Sequence, residues 1–236
     1  MAKKDLVKKE TIIAKSQPAA RGFEEGVSRD ELIIPRAKLL QALSPEVTQG
    51  KFAAGKIINS VLLTELPSYF IPIFKFTNWI RWNPRDSKSP NFNPQCQPGA
   101  IIWRSVNAND PRVISEGKFN EDGTPPLATQ YINFFSLFPG VDMPVVVSFS
   151  KTSIKAGKQL ISIARFVGGD LFAHKYALKT RQVTGPLGTY FVLDVAKTGV
   201  PSDSEFSTCE TWWDEFRTKD IKVHEESEDI ETDRPF

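Results

Sequence analysis

Through the middle of the chain, apolar positions gather in short β-branched and aromatic blocks. Segments 57–66, 69–76, 78–82, 100–106, 130–138 and 143–149 are each bounded by Pro, Gly, Asn or Asp and read as strands. At 153–167 the period changes to that of a helix: Ile154, Leu160, Ile161, Ala164 and Val167 share one side, with Thr152 or Ser153 as N-cap and Gly168-Gly169 as the stop. Two more strands, 171–180 and 189–195, flank a turn at 184–188. A last helix opens at the capping box Ser202-x-x-Glu205 and places Phe206, Cys209, Trp213 and Phe216 at spacings of three and four.

These elements predict a mainly β, β-rich α+β protein. An OB-like barrel elaborated with extra strands, long loops and two helices fits the count. Segment 33–43 is apolar but interrupted by Pro35, and 83–98 and 107–128 are unusually long loops. The expected organisation is a flexible basic arm at 1–28, one domain at 29–218 and a disordered acidic tail at 219–236.

Composition adds bounds rather than a function. The 236 residues are 40% hydrophobic and 25% charged, as in an ordinary globular protein. No apolar run approaches the roughly 20 residues of a membrane helix, and the N-terminus lacks the apolar core of a signal peptide. A cytoplasmic protein with no membrane association is expected. Cys96 and Cys209 lie far apart without metal-ligand spacing, so no disulfide framework, metal or cofactor is expected.

Charge is divided unevenly. Residues 223–236 hold Glu225, Glu226, Glu228, Asp229, Glu231 and Asp233 against one arginine, a formal −5 with His224 neutral; the whole chain being +2, residues 1–222 carry +7. A basic body joined to an acidic leash suits a protein that holds a polyanion and carries a mimic of one.

Catalytic patterns are weak. Gly50-Lys-Phe-Ala-Ala-Gly55-Lys56 fits a phosphate-binding loop, but Ile57 stands where Ser or Thr should hold magnesium and no strand precedes it. His174 and His224 have no evident relay partners, and the strand segments hold almost no acids apart from Glu65 and Asp194. A non-enzymatic role is expected.

The interleaving of rings and cations says more. Sequence-tolerant binding of single strands needs cations along the backbone path and flat rings for bases, each stack contributing about 1–3 kcal/mol. Segment 69–82 alternates six rings with Lys75 and Arg81, and Arg85 follows. Trp103-Arg104 repeats the pairing, and Lys175, Tyr176, Lys179 and Arg181 add a third group. Most such rings belong in a core; Trp79, Trp103 and Tyr176 are the best surface candidates. Lys151, Lys155 and Lys158, with Arg165, form a basic stripe on the 153–167 helix.

The chain closes on Pro235-Phe236 behind its acids. This ending resembles the acidic C-termini of bacterial and phage single-stranded DNA-binding proteins, which finish in an aromatic residue. It departs from the bacterial pattern at Arg234, where an apolar residue usually stands. The resemblance implies that Phe236 fills an apolar pocket on a replication or recombination partner while the acids meet its basic rim. The segment Ile34-Pro-Arg-Ala-Lys-Leu-Leu-Gln-Ala-Leu-Ser-Pro-Glu46 and the layout of the body C-terminal to it look like a set of phage-encoded proteins. The expectation is therefore a phage protein that binds single-stranded DNA in replication, recombination or repair. Its alternative is a phage structural or adaptor protein using the tail for docking alone; homo-oligomerisation is open under both.

Overall fold

The computed structural model describes residues 33–185 and 188–218. Among these residues, eight strands and four α-helices form the β-rich α+β arrangement that the sequence indicates. The expected arm at 1–28 and tail at 219–236 lie outside the described residues.

The aromatic segment 69–82 is one strand, β3 (Tyr69–Trp82), rather than two. Asn78 does not break it because its polar group is satisfied within the sheet. The Asn133 amide donates to Asn78 Oδ1 at 2.7 Å, and the Ser148 hydroxyl donates to Asn133 Oδ1 at 2.7 Å. β3 pairs along one edge with β5 (Thr129–Leu137), which pairs in turn with β6 (Val145–Ser150). Its other edge holds β7 (Lys175–Gly185) at Tyr69 and Phe70, and β4 (Ile101–Ser105) at residues 79–82. β8 (Gly188–Gly199) completes an all-antiparallel order β6-β5-β3-β7-β8. Pro72, which has no N–H to give, coincides with a bulge in the β5 pairing.

A second sheet pairs β1 (Ala37–Leu39) with β2 (Ile57–Asn59). The strand expected over 57–66 stops at Asn59, whose side-chain oxygen accepts from Val61 N and Leu62 N at 2.9 and 3.0 Å and turns the chain back. Segment 34–41 ties the two edges of the large sheet into a barrel-like curve. On one side Arg36 bridges Val146 of β6, with Val146 N donating to Pro35 O. On the other, the Gln41 amide bonds the backbone of Phe191 on β8.

Both faces of the sheet are covered, which explains why its strands read as continuous apolar runs. Ile132 and Phe134 of β5 point into one core with Phe70, Phe149, Tyr176 and Val195, roofed by α3 (Ile154–Val167). Phe135 and Leu137 point into a second, where α4 (Asp203–Phe216) packs Phe206, Trp212, Trp213 and Phe216 around buried Cys209. Each fully buried ring of this kind contributes about 1.5–3 kcal/mol.

Two short helices, α1 (Pro45–Thr48) and α2 (Pro111–Glu116), were not expected. α2 lies inside the second long loop, and its start is a local signal: Asp110 caps Arg112 N at 2.9 Å, with Pro111 at the first helical position. The first long loop is organised around Asn83, which is fully buried. Its amide donates to the carbonyls of Asn93, Cys96 and Gln97, and its oxygen accepts from Asn93 N.

Candidate functional site

The three rings proposed from sequence as surface residues are buried. Trp79 and Trp103 are each 9% exposed and pack with Val113 and Ala128, because α2 folds back over the far end of β3 and β4. The Trp103 indole donates to Glu116 Oε2 at 3.0 Å, and the Arg112 guanidinium lies 5.2 Å from the Trp103 ring centre. Arg112 also binds Asp110, whose carboxyl is held far below the usual carboxylate range by that hydrogen bond. Tyr176 is fully buried in the core below α3; its hydroxyl has no partner, and burial raises its pKa.

Several candidate cations have structural duties. Arg81 donates to Leu127 O and to Asn91 O, both at 3.2 Å, and its Nε lies 3.6 Å from Glu116, so one guanidinium fastens both long loops to β3. Lys175 pairs with Glu205 of α4 at 2.7 Å and stands 5.3 Å from the Tyr69 ring centre. Burial pushes the Glu205 pKa up, but the hydrogen bonds from Lys175 and Ser202 outweigh it and the net shift is downward. Lys75 is exposed and donates to Thr77, Arg85 is exposed over Gly99, and Arg104 is half-buried.

The basic stripe on α3 has a different setting. Ala156, Gly157 and Leu160 are buried against the sheet, and Gly157 sits so close to β6 that a Cβ there would meet Phe149 Cβ at 2.8 Å. Ser153 Oγ accepts from Leu193 N at 3.0 Å and Gln159 donates to Val195 O at 3.4 Å, which fixes the helix along β8. The opposite side faces solvent. Lys155, Lys158 and Arg165 are all exposed there and lie within an arc of roughly 80° at 100° per residue. Lys151 is half-buried at the entry, in a short 3₁₀ turn with φ +46°. No Asp or Glu occurs from 151 to 169; the first acid beyond is Asp170.

Phe166 shares this face. It is 91% exposed, the most exposed large apolar side chain among the described residues. Helical geometry places it about 20° from Lys155 and 40° from Ser162 around the axis. Sequence reasoning missed it, although the same wheel that groups the lysines puts this ring at the edge of their arc, beside Lys155 and away from Leu160.

Lys179 and Arg181 are exposed on β7, opposite Asp194 and Val192 of β8. Leu178 and Val195 turn into the core with α3, so by strand alternation Lys179 and Arg181 point away from it. The structure thus does not gather the α3 and β7 cations into one groove. The tail residues from Glu225 to Phe236 lie outside the described residues. Among the described residues no three His, Cys, Asp or Glu side chains are placed to hold a metal, and no helix is long and apolar enough to cross a membrane.

The fold and this basic helix face define a mainly β protein, with helices on both sides of a curved antiparallel sheet. The family model of Pam3 phage gp34-like proteins matches residues 2–222, and the chain belongs to that family of phage proteins. No curated protein and no solved structure matches it.

Proposed function

We propose that the chain binds single-stranded DNA with little sequence preference during phage replication, recombination or repair, as a binding protein and not an enzyme. The observation that carries this reading is the outer face of α3, where Lys155, Lys158 and Arg165 stand exposed with no acid from 151 to 169. An acid-free row of cations attracts a phosphate chain and releases its counterions, which gives affinity that falls steeply with salt. The charge division supports the same reading: a +7 body attracts both DNA and its own −5 tail. DNA then displaces the tail and frees Phe236 for a partner protein.

Titration of labelled oligo-dT at several salt concentrations tests this. Tight binding at low salt that weakens steeply is expected, and no binding at low salt overturns it. Removing residues 225–236 should raise DNA affinity and abolish partner recruitment; unchanged values for both refute the tail's role.

A second reading, a phage structural or adaptor protein, is favoured by Val61, Leu62 and Leu63. These three consecutive aliphatic residues are 41–52% exposed at the turn after β2. Retention of the chain on single-stranded DNA resin, eluted by salt, separates the two readings.

A further inference from the structure

We infer that Phe166 is the base-stacking residue of the α3 surface, and that a single DNA strand runs along this helix with its phosphates on Lys155, Lys158 and Arg165. The inference rests on the DNA-binding reading above and names the site within it.

Three observations converge on this ring. It is 91% exposed on a helix whose opposite side supplies Ala156, Gly157 and Leu160 to the core, so it serves no packing purpose within the described residues. It borders the cationic arc, about 20° beyond Lys155 around the axis, where a protein partner's apolar surface would have to desolvate lysine and arginine. A nucleic acid strand has the opposite character: its charge suits the cations and its bases offer flat apolar faces.

The support is firm. α3 is fixed along β8 by Ser153 and Gln159 and stops at Gly168, where φ is +79°, so Phe166 stands in the last turn of an anchored helix. A ring held this way loses little freedom on stacking. Asp170, exposed just past the helix, limits the cationic stretch on that side, so the strand is expected to lead from Phe166 back toward Lys155.

The rings and cations assigned from sequence do not compete for this role. Trp79, Trp103 and Tyr176 are buried, and Lys175 is paired with Glu205. Among the exposed rings of the described residues, Phe166 is the one that borders a row of cations bearing no acid.

The test uses the full chain, oligo-dT, and an abasic oligonucleotide of equal length that keeps the phosphates but has no bases. Phe166→Ala should weaken oligo-dT binding about tenfold or more, leave the salt slope unchanged, and leave the already weaker abasic binding unaltered. Phe166→Trp should restore affinity, whereas Phe166→Leu, apolar but not flat, should not. Lys158→Ala should lower the salt slope by about one on both oligonucleotides. If the wild-type chain binds oligo-dT and Phe166→Ala binds it equally well, the stacking assignment is overturned while the DNA reading stands. Full activity of Phe166→Leu overturns it too, since an apolar protein-docking contact tolerates that change. No oligo-dT binding by the wild-type chain removes both.

Discussion

Gln41 and Phe191 are joined by two hydrogen bonds: the Gln41 amide donates to Phe191 O at 2.8 Å, and Phe191 N donates to Gln41 Oε1 at 2.7 Å. A side-chain amide thereby takes the place of a neighbouring strand at the free edge of β8, 150 residues away in sequence. Gln41→Leu strands both Phe191 backbone groups, and the loss should be about 2–4 kcal/mol by urea unfolding. Gln41→Glu should also destabilise the fold, because a carboxylate accepts from Phe191 N but has nothing to donate to Phe191 O. A loss below about 0.5 kcal/mol for both variants contradicts the closure described for segment 34–41.

Tyr176 carries a hydroxyl into a core that offers it no partner. Removing that oxygen avoids its desolvation cost, so Tyr176→Phe should raise stability by about 1 kcal/mol. Tyr176→Ala should lower it by about 3–5 kcal/mol, as for other large core rings. If the ring instead met DNA, Tyr176→Ala would lose affinity while stability stayed level; unfolding and titration together decide.

Acid should loosen α4 through Glu205. Its folded pKa lies below the ordinary 4.5, so the carboxylate's contribution is fully present above that value and disappears as pH falls through the folded value. Lys175→Met should lower stability at neutral pH and flatten the acid limb of the stability curve below pH 4.5. Parallel curves for the two proteins would show that the pair does not hold α4.

The two thiols should separate cleanly. Burial, with a smaller effect from Glu205, pushes Cys209 up to about 12, whereas Cys96 is half-buried in the first long loop. Mass spectrometry after brief alkylation of the native chain at neutral pH should find label at Cys96, and at Cys209 only in denaturant.

The strands of the large sheet, α3 and α4 were legible because each rests on a local signal, such as the Ser202 capping box or the β-branched run at Val145–Ser150. The mistaken surface rings show what a local signal lacks. Trp79 and Arg81 have the same alternation whether α2 covers them or water does, and the covering depends on a loop that returns from residue 111. Asn83 was unreadable for a similar reason: its value lies in carbonyls ten to fourteen residues further on. Phe166 needed no long-range knowledge, since its place on the helix wheel comes from spacing alone.

One absent methyl group governs the placement of α3. Phe149 occupies the space where a side chain at residue 157 would begin, so even alanine there must lift or roll the helix relative to β6. The charged face is carried rigidly with it. A substitution buried beneath the helix would therefore re-aim cations it never touches, while leaving their number and their charge unchanged.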